Sequence, residues 1–466
     1  MNLYSHIPVA LVYSVFLLTS SNAVVVPRLR DPKQTNSPLI IIPGDAGNQV
    51  YTREKDKPEE EPSLLWLRLL NIFRMSKVTE ELSLSYDPKT HTTHDNEKYE
   101  VIFPGWGDTS TIEYLDTTEH VFGEYLHGLV TKLRKDPYYV PRRTICGAPY
   151  DFRRAPNENH VFVSQMTKLV EETYEMNDNR PVVLLGHSLG ALYTLYFLQQ
   201  KTDEWKRTYV KAYMPVGAPF GGSVRALLAV TSGDNFGVFL RNPLVFRGLE
   251  RSMPSIGLLL PNPRLWSPNE PLIFTPETNY SAHQYDKLFH DIAYPEGYQM
   301  YLDSTGEFDT FRNPTGVQVI CVHGSQVSTP VSLTYPRKGY QMYLDSTGEF
   351  DTFRNPTGVQ VICVHGSQVS TPVSLTYPRK GWFHKGFPDE TPTITDGDGD
   401  GTVPIRSLEV CRQWVNTEHV VLPGAAHIPI TTDPRFLTVL RRVLGSHISL
   451  VERETGHQIE DDVREI

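Results

Sequence analysis

The segment Pro181-Val182-Val183-Leu184-Leu185-Gly186-His187-Ser188-Leu189-Gly190, continued by Ala191-Leu192-Tyr193-Thr194-Leu195-Tyr196-Phe197-Leu198, leaves little freedom to the chain around it. It reads as a buried strand, a sharp turn and a buried helix. In a G-x-S-x-G turn between strand and helix, the glycines allow close approach of the two elements while the serine Oγ projects from the sheet edge. The helix N-terminus behind Ser188 favours negative charge developing at that point. A plain βα turn with a capping serine is the blander alternative, so partners must be sought elsewhere in the chain.

An activated serine needs a base and an acid that orients the base, and on α/β sheets these follow in the order Ser, Asp or Glu, His. Downstream of Ser188 lie Asp396-Gly397-Asp398-Gly399-Asp400-Gly401-Thr402-Val403 and then Val420-Val421-Leu422-Pro423-Gly424-Ala425-Ala426-His427. Asp400 and His427 are the expected partners, with Asp396 and Asp398 as turn residues. The acidic loop also copies the first half of an EF-hand calcium loop. Its twelfth position is Ser407 where a bidentate Glu is needed, and Pro388 and Pro392 stand where a helix should run, so no metal is expected. Two backbone N–H groups must face a developing oxyanion: Leu189 after the nucleophile, and Asp45 in the first strand-to-turn segment Leu39-Ile40-Ile41-Ile42-Pro43-Gly44-Asp45-Ala46-Gly47. These features predict an α/β-hydrolase fold needing no cofactor.

The ends and the charge set the compartment. Ile7 to Leu18 is a short apolar run followed by small residues, which predicts a signal peptide over residues 1–23, with residues 24–466 as the hydrolase domain. Asn279-Tyr280-Ser281 is a glycosylation sequon at Asn279. Four cysteines are too few for a disulfide framework in a chain of 466 residues. The formal charge of −10 disfavours nucleic acid, and protonating all 16 histidines would bring it to +6, so attraction to anionic lipid is expected in an acidic compartment.

Residues 297–338 and 339–380 are the same 42 residues without a difference. Two copies make no solenoid. The apolar stretch Val317 to Val322 reads as a buried strand for which a sheet has one slot, so one copy is expected to be surplus, and Cys321 and Cys363 are the same structural cysteine counted twice.

Pro43-Gly44-Asp45-Ala46-Gly47-Asn48-Gln49, Gly147-Ala148-Pro149-Tyr150-Asp151-Phe152-Arg153-Arg154-Ala155-Pro156-Asn157-Glu158-Asn159, Gly217-Ala218-Pro219-Phe220-Gly221-Gly222 and Asp398-Gly399-Asp400-Gly401-Thr402-Val403, taken in order, resemble the lecithin:cholesterol acyltransferase family, and within it the lysosomal phospholipase A branch (group XV). The resemblance implies a hydrolase core with a cap, here residues 220–296, and a membrane-binding insertion, here 51–95. It implies a triad of Ser188, Asp400 and His427, a disulfide between Cys411 and the duplicated cysteine, taken as Cys363, and a monomer of the lysosomal lumen or secreted. It also implies acyl transfer from a glycerophospholipid to water or to a lipid alcohol such as ceramide. Sterol acyl transfer is the alternative within the class; a catalytically inactive lipid-binding hydrolase fold is the alternative outside it, disfavoured because no triad member is missing.

The insertion lacks the cysteines that close a loop in the family. In their place stands an apolar segment with Leu64, Leu65, Trp66, Leu67, Leu69 and Leu70, read as a helix either buried or dipping into a bilayer, the bilayer being favoured.

Overall fold

The computed structural model describes residues 36–446 apart from 69–70, 72–73, 118–122, 236–241, 307, 313–317, 320–359, 383 and 415–416. The expected signal peptide therefore lies outside the described residues. The elements that position the site are strands Leu39–Ile42 (β1), Ile145–Gly147 (β2), Val182–His187 (β3), Val210–Val216 (β4), Gln318–Val319 (β5), Gln360–Ser367 (β6) and Thr417–Pro423 (β7). The helices are His127–Leu133 (α1), His160–Met176 (α2), Leu189–Gln199 (α3), Val224–Thr231 (α4), Arg247–Arg251 (α5), Pro295–Gly306 (α6) and Pro434–Leu444 (α7).

All seven strands join one parallel sheet in the order β5-β6-β4-β3-β1-β2, with β7 pairing to β6. The unbroken apolar runs of β1 and β3 follow from burial of both faces. Ile40, Ile42, Val182 and Leu184 enter one core with α2 and α3. Leu39, Ile41, Val183 and Leu185 enter the other with Leu129, Val130 and Leu133 of α1 and Phe436, Leu437 and Leu440 of α7. The period of two is hidden in the sequence because each face has its own helical cover. Ser188 is thereby delivered to the carboxyl end of a central strand, where βα turns gather.

Between β4 and β6 the chain leaves the sheet through α4, α5 and α6. A second sheet stands beside them, Asn279–Ser281, Pro271–Phe274, Thr371–Thr376 and Thr393–Gly397 in that order. Asn279 is exposed. Among the described residues no helix is long and apolar enough to cross a membrane.

The first part of the segment read as a lipid-facing helix is instead a strand. Ser63–Trp66 pairs antiparallel with Val50–Glu54, which also pairs with Tyr99–Ile102. Leu65 and Trp66 are buried, and the Trp66 indole N–H donates to the Ala46 carbonyl at 2.9 Å. Neither is presented to lipid; Leu64 and Leu67 are half-buried, and Leu69 and Leu70 lie outside the described residues. A short apolar run that pairs with a neighbouring strand satisfies its backbone more fully than one turn of isolated helix, and local composition does not reveal that neighbour.

Both copies reach the main sheet among the described residues. The described parts are the start of the first copy, including most of α6 and the strand residues Gln318 and Val319, which pair with Gln360 and Val361, and the end of the second, including β6. β6 fills the slot between β4 and β7. Residues 297–317 and 360–380 together spell one complete repeat. Excision of 339–380 yields the same polypeptide as excision of 318–359, so the shortened chain can keep both α6 and the β6 slot. It is expected to be secreted at least as well and to unfold at the same or a higher temperature. A calorimetric midpoint lower by more than a few degrees would show that both copies are structural.

Candidate active site

Ser188 stands between β3 and α3 with φ 54° and ψ −126°, a strained backbone held by close approach on both sides. A Cβ on Gly190 would lie 2.2 Å from the Pro43 carbonyl oxygen, and one on Gly44 would lie 2.9 Å from Ser188 Cβ. Only glycine lets the turn after β1 lie directly against the elbow.

Asp400 and His427 arrive from the loops after Thr393–Gly397 and after β7. Ser188 Oγ–H donates to His427 Nε2 at 2.9 Å, and His427 Nδ1–H donates to Asp400 Oδ2 at 2.7 Å. The other oxygen of Asp400 accepts N–H groups from Val403 at 2.8 Å and Thr402 at 3.0 Å. Burial alone would raise the Asp400 pKa; the His427 ring and these two amides outweigh it and hold the carboxyl below its usual range. Asp396 and Asp398 are exposed and serve the turn, Asp398 accepting the Gln368 N–H at 2.5 Å.

His187 and Tyr125 escaped the sequence reading. The buried His187 donates from Nε2 to the His427 carbonyl at 2.8 Å and accepts the Tyr125 hydroxyl at Nδ1 at 2.5 Å. That hydroxyl in turn accepts the Gly44 N–H at 3.0 Å. Burial lowers the His187 pKa to about 3, so the ring stays neutral and can accept at one nitrogen while donating at the other. One chain of hydrogen bonds thus fixes the backbone of His427 and the glycine turn over Ser188. His187 occupies the variable position of G-x-S-x-G, which hints at a role; Tyr125 carries no local signal.

Leu189 opens α3 and is fully buried, so its amide points from the helix start without an intrahelical acceptor. Asp45 follows Gly44. Its Oδ1 is buried without a hydrogen-bond partner, and burial, with help from the Asp234 charge and against the Ala46 N–H, raises its pKa to about 7. Asp45 lines a narrow, mostly apolar cleft of about 20 Å³ together with Trp66, Phe152, Phe246, Leu249 and Glu250, among others. Trp66, expected at the membrane, is a wall of this cleft.

Cys363 and Cys411 form a disulfide between β6 and the turn Glu409–Gln413. His419 comes close enough to both sulfurs to complete a metal-ligand geometry, but the sulfurs are bonded to each other. Cys146 is a free, buried thiol whose pKa burial pushes up to about 11.

A family model described as lecithin:cholesterol acyltransferase matches residues 62–433. The chain belongs to that family. It is 32% identical over 447 residues to the human lysosomal phospholipase A and acyltransferase, covering 92% of this chain and 95% of the relative. It is 31% identical to lecithin-cholesterol acyltransferase-like 1 of Arabidopsis thaliana, over 90% and 91% of the two chains. It is 28% identical to the mouse phosphatidylcholine-sterol acyltransferase, over 81% and 77%. Membership in this family makes the chain an α/β-hydrolase-fold enzyme.

Proposed function

We propose that the chain is a phospholipase A with acyltransferase capacity, in which Ser188 attacks the acyl ester of a glycerophospholipid. The observation that carries the reading is the relay from Ser188 through His427 to the buried Asp400. His427 takes the serine proton as Oγ bonds to the ester carbonyl, then returns it to the departing lysophospholipid oxygen. The resulting acyl-enzyme is cleaved by water or by the hydroxyl of a lipid alcohol, which His427 deprotonates in the same way. Leu189 and Asp45 are the proposed backbone donors to the oxyanion. The wide coverage of the lysosomal relative favours this reading over sterol transfer, and an acidic lysosomal lumen as the place of action. Incubation with phosphatidylcholine and ceramide vesicles should release fatty acid and form an acylated ceramide. Formation of sterol ester alone, on vesicles that also hold cholesterol, would reverse the order of the two activities.

The Asp45 carboxyl gives the reaction a direction in pH. Its raised pKa of about 7 means a neutral group below that value and an anion above it. An anion beside the forming oxyanion opposes it, so turnover of a soluble ester should fall as pH rises through 7. Asp45→Asn should flatten that limb, raising the ratio of the rate at pH 7.5 to that at pH 5 severalfold. On anionic vesicles the wild type should work faster near pH 5 than at pH 7.4, because histidines at the surface, unlike the buried His187 and His365, also add positive charge there. An unchanged profile for the Asn variant would remove Asp45 from this role.

A further inference from the structure

One loop far along the chain has a composition that ester cleavage does not use. After the strand Thr371–Thr376 comes Arg379-Lys380-Gly381-Trp382-Phe383-His384-Lys385-Gly386. The Gly381 N–H donates to the His384 carbonyl at 2.9 Å, and the His384 N–H is returned to Gly381 at 3.4 Å. Trp382 therefore stands at the tip of a tight turn, 96% exposed, with no hydrogen bond or ring contact among the described residues. A tryptophan presents on the order of 200 Å² of mostly apolar surface, which is costly to hold in water, and its amphipathic ring favours the headgroup level of a bilayer.

The arms of the turn are basic. Arg379, Lys380 and Lys385 are exposed and unpaired among the described residues. The nearby acids are already engaged, Asp389 by Arg247 at 3.0 Å and Glu390 by His384 at 2.6 Å. A local excess of positive charge thus sits on a chain whose formal charge is −10. Lys380 and Lys385 line one open concavity with Leu244, with Asp389 and with Arg247, the first residue of α5. Leu249 and Glu250 of the same helix line the cleft at Asp45.

We propose that this turn is a membrane anchor for an anionic phospholipid bilayer. Trp382 enters the headgroup region, Arg379, Lys380 and Lys385 meet lipid phosphates, and α5 links the anchored surface to the cleft at Asp45. The proposal deepens the phospholipid reading above and rests on it for the choice of ligand, so its test reads binding and not turnover. Full-length protein is sedimented with vesicles of phosphatidylcholine, with and without phosphatidylserine, at fixed pH and salt. Lys380→Gln with Lys385→Gln should weaken partition onto the anionic vesicles roughly thirtyfold, at about fivefold per basic residue, and leave the neutral vesicles nearly unchanged. Trp382→Ala should weaken both by about fivefold or more. All variants should keep the wild-type thermal midpoint, since the side chains replaced are exposed. Wild-type partition of both variants would overturn the proposal, and so would a Trp382→Ala effect seen only as loss of self-association in the absence of vesicles. Loss of ester hydrolysis in any variant, with partition intact, bears on the catalytic reading and not on the anchor.

Discussion

Ser188→Ala is expected to lower ester hydrolysis by a factor on the order of 10⁶, the loss seen when a serine nucleophile is removed from a triad. The alanine keeps Cβ and so keeps the packing against the Gly44 turn, while the oxygen that His427 Nε2 accepts from at 2.9 Å is gone. The strained φ of 54° is unchanged, because the turn and its neighbours impose it. Thermal unfolding should therefore stay within a few degrees of wild type. Labelling by a fluorophosphonate probe should vanish with the activity. Hydrolysis within a few fold of wild type would remove Ser188 as the nucleophile, whatever its hydrogen bonds.

The elbow was legible because each of its requirements leaves a mark in local sequence: apolar strand, small residues at the turn, apolar helix. Asp400 and His427 were legible through chain order and through the glycines around them, although three aspartates compete in the loop. The structure separates them by burial, with Asp400 fully enclosed and Asp396 and Asp398 in solvent. Tyr125 was not legible. Its hydroxyl meets His187 across 62 residues of sequence, and a buried tyrosine in a strandless stretch looks like any core residue. Ser63–Trp66 misled for the converse reason. Its leucines and tryptophan have the composition of a lipid-facing surface, yet Leu65 and Trp66 are spent on a strand and on the cleft wall. Apolarity states that a side chain leaves water and not which apolar phase receives it. Trp382 is the complementary case, an aromatic ring in a polar loop that a hydropathy pattern passes over.

The choice among the aspartates leads to the other large effect. Asp400→Asn is expected to cost roughly 10⁴-fold in turnover, the scale of loss when a triad carboxylate becomes an amide. The geometry says why. Oδ1 of Asp400 accepts two amide hydrogens, from Thr402 and Val403, so the oxygen of an asparagine would be held there and its NH2 group would occupy the place of Oδ2. That NH2 would donate to His427 Nδ1, which now donates to the carboxylate at 2.7 Å. The imidazole would have to carry its hydrogen on Nε2 and could no longer accept the proton of Ser188. Substrate binding should change little, so the loss should fall on kcat and not on KM. Asp398→Asn removes a charge from an exposed turn and should cost no more than a few fold, since an asparagine oxygen can still accept the Gln368 N–H. If Asp398→Asn proved the more damaging of the two, the orienting carboxylate would not be Asp400, and the 2.7 Å contact with His427 would be a structural bond only.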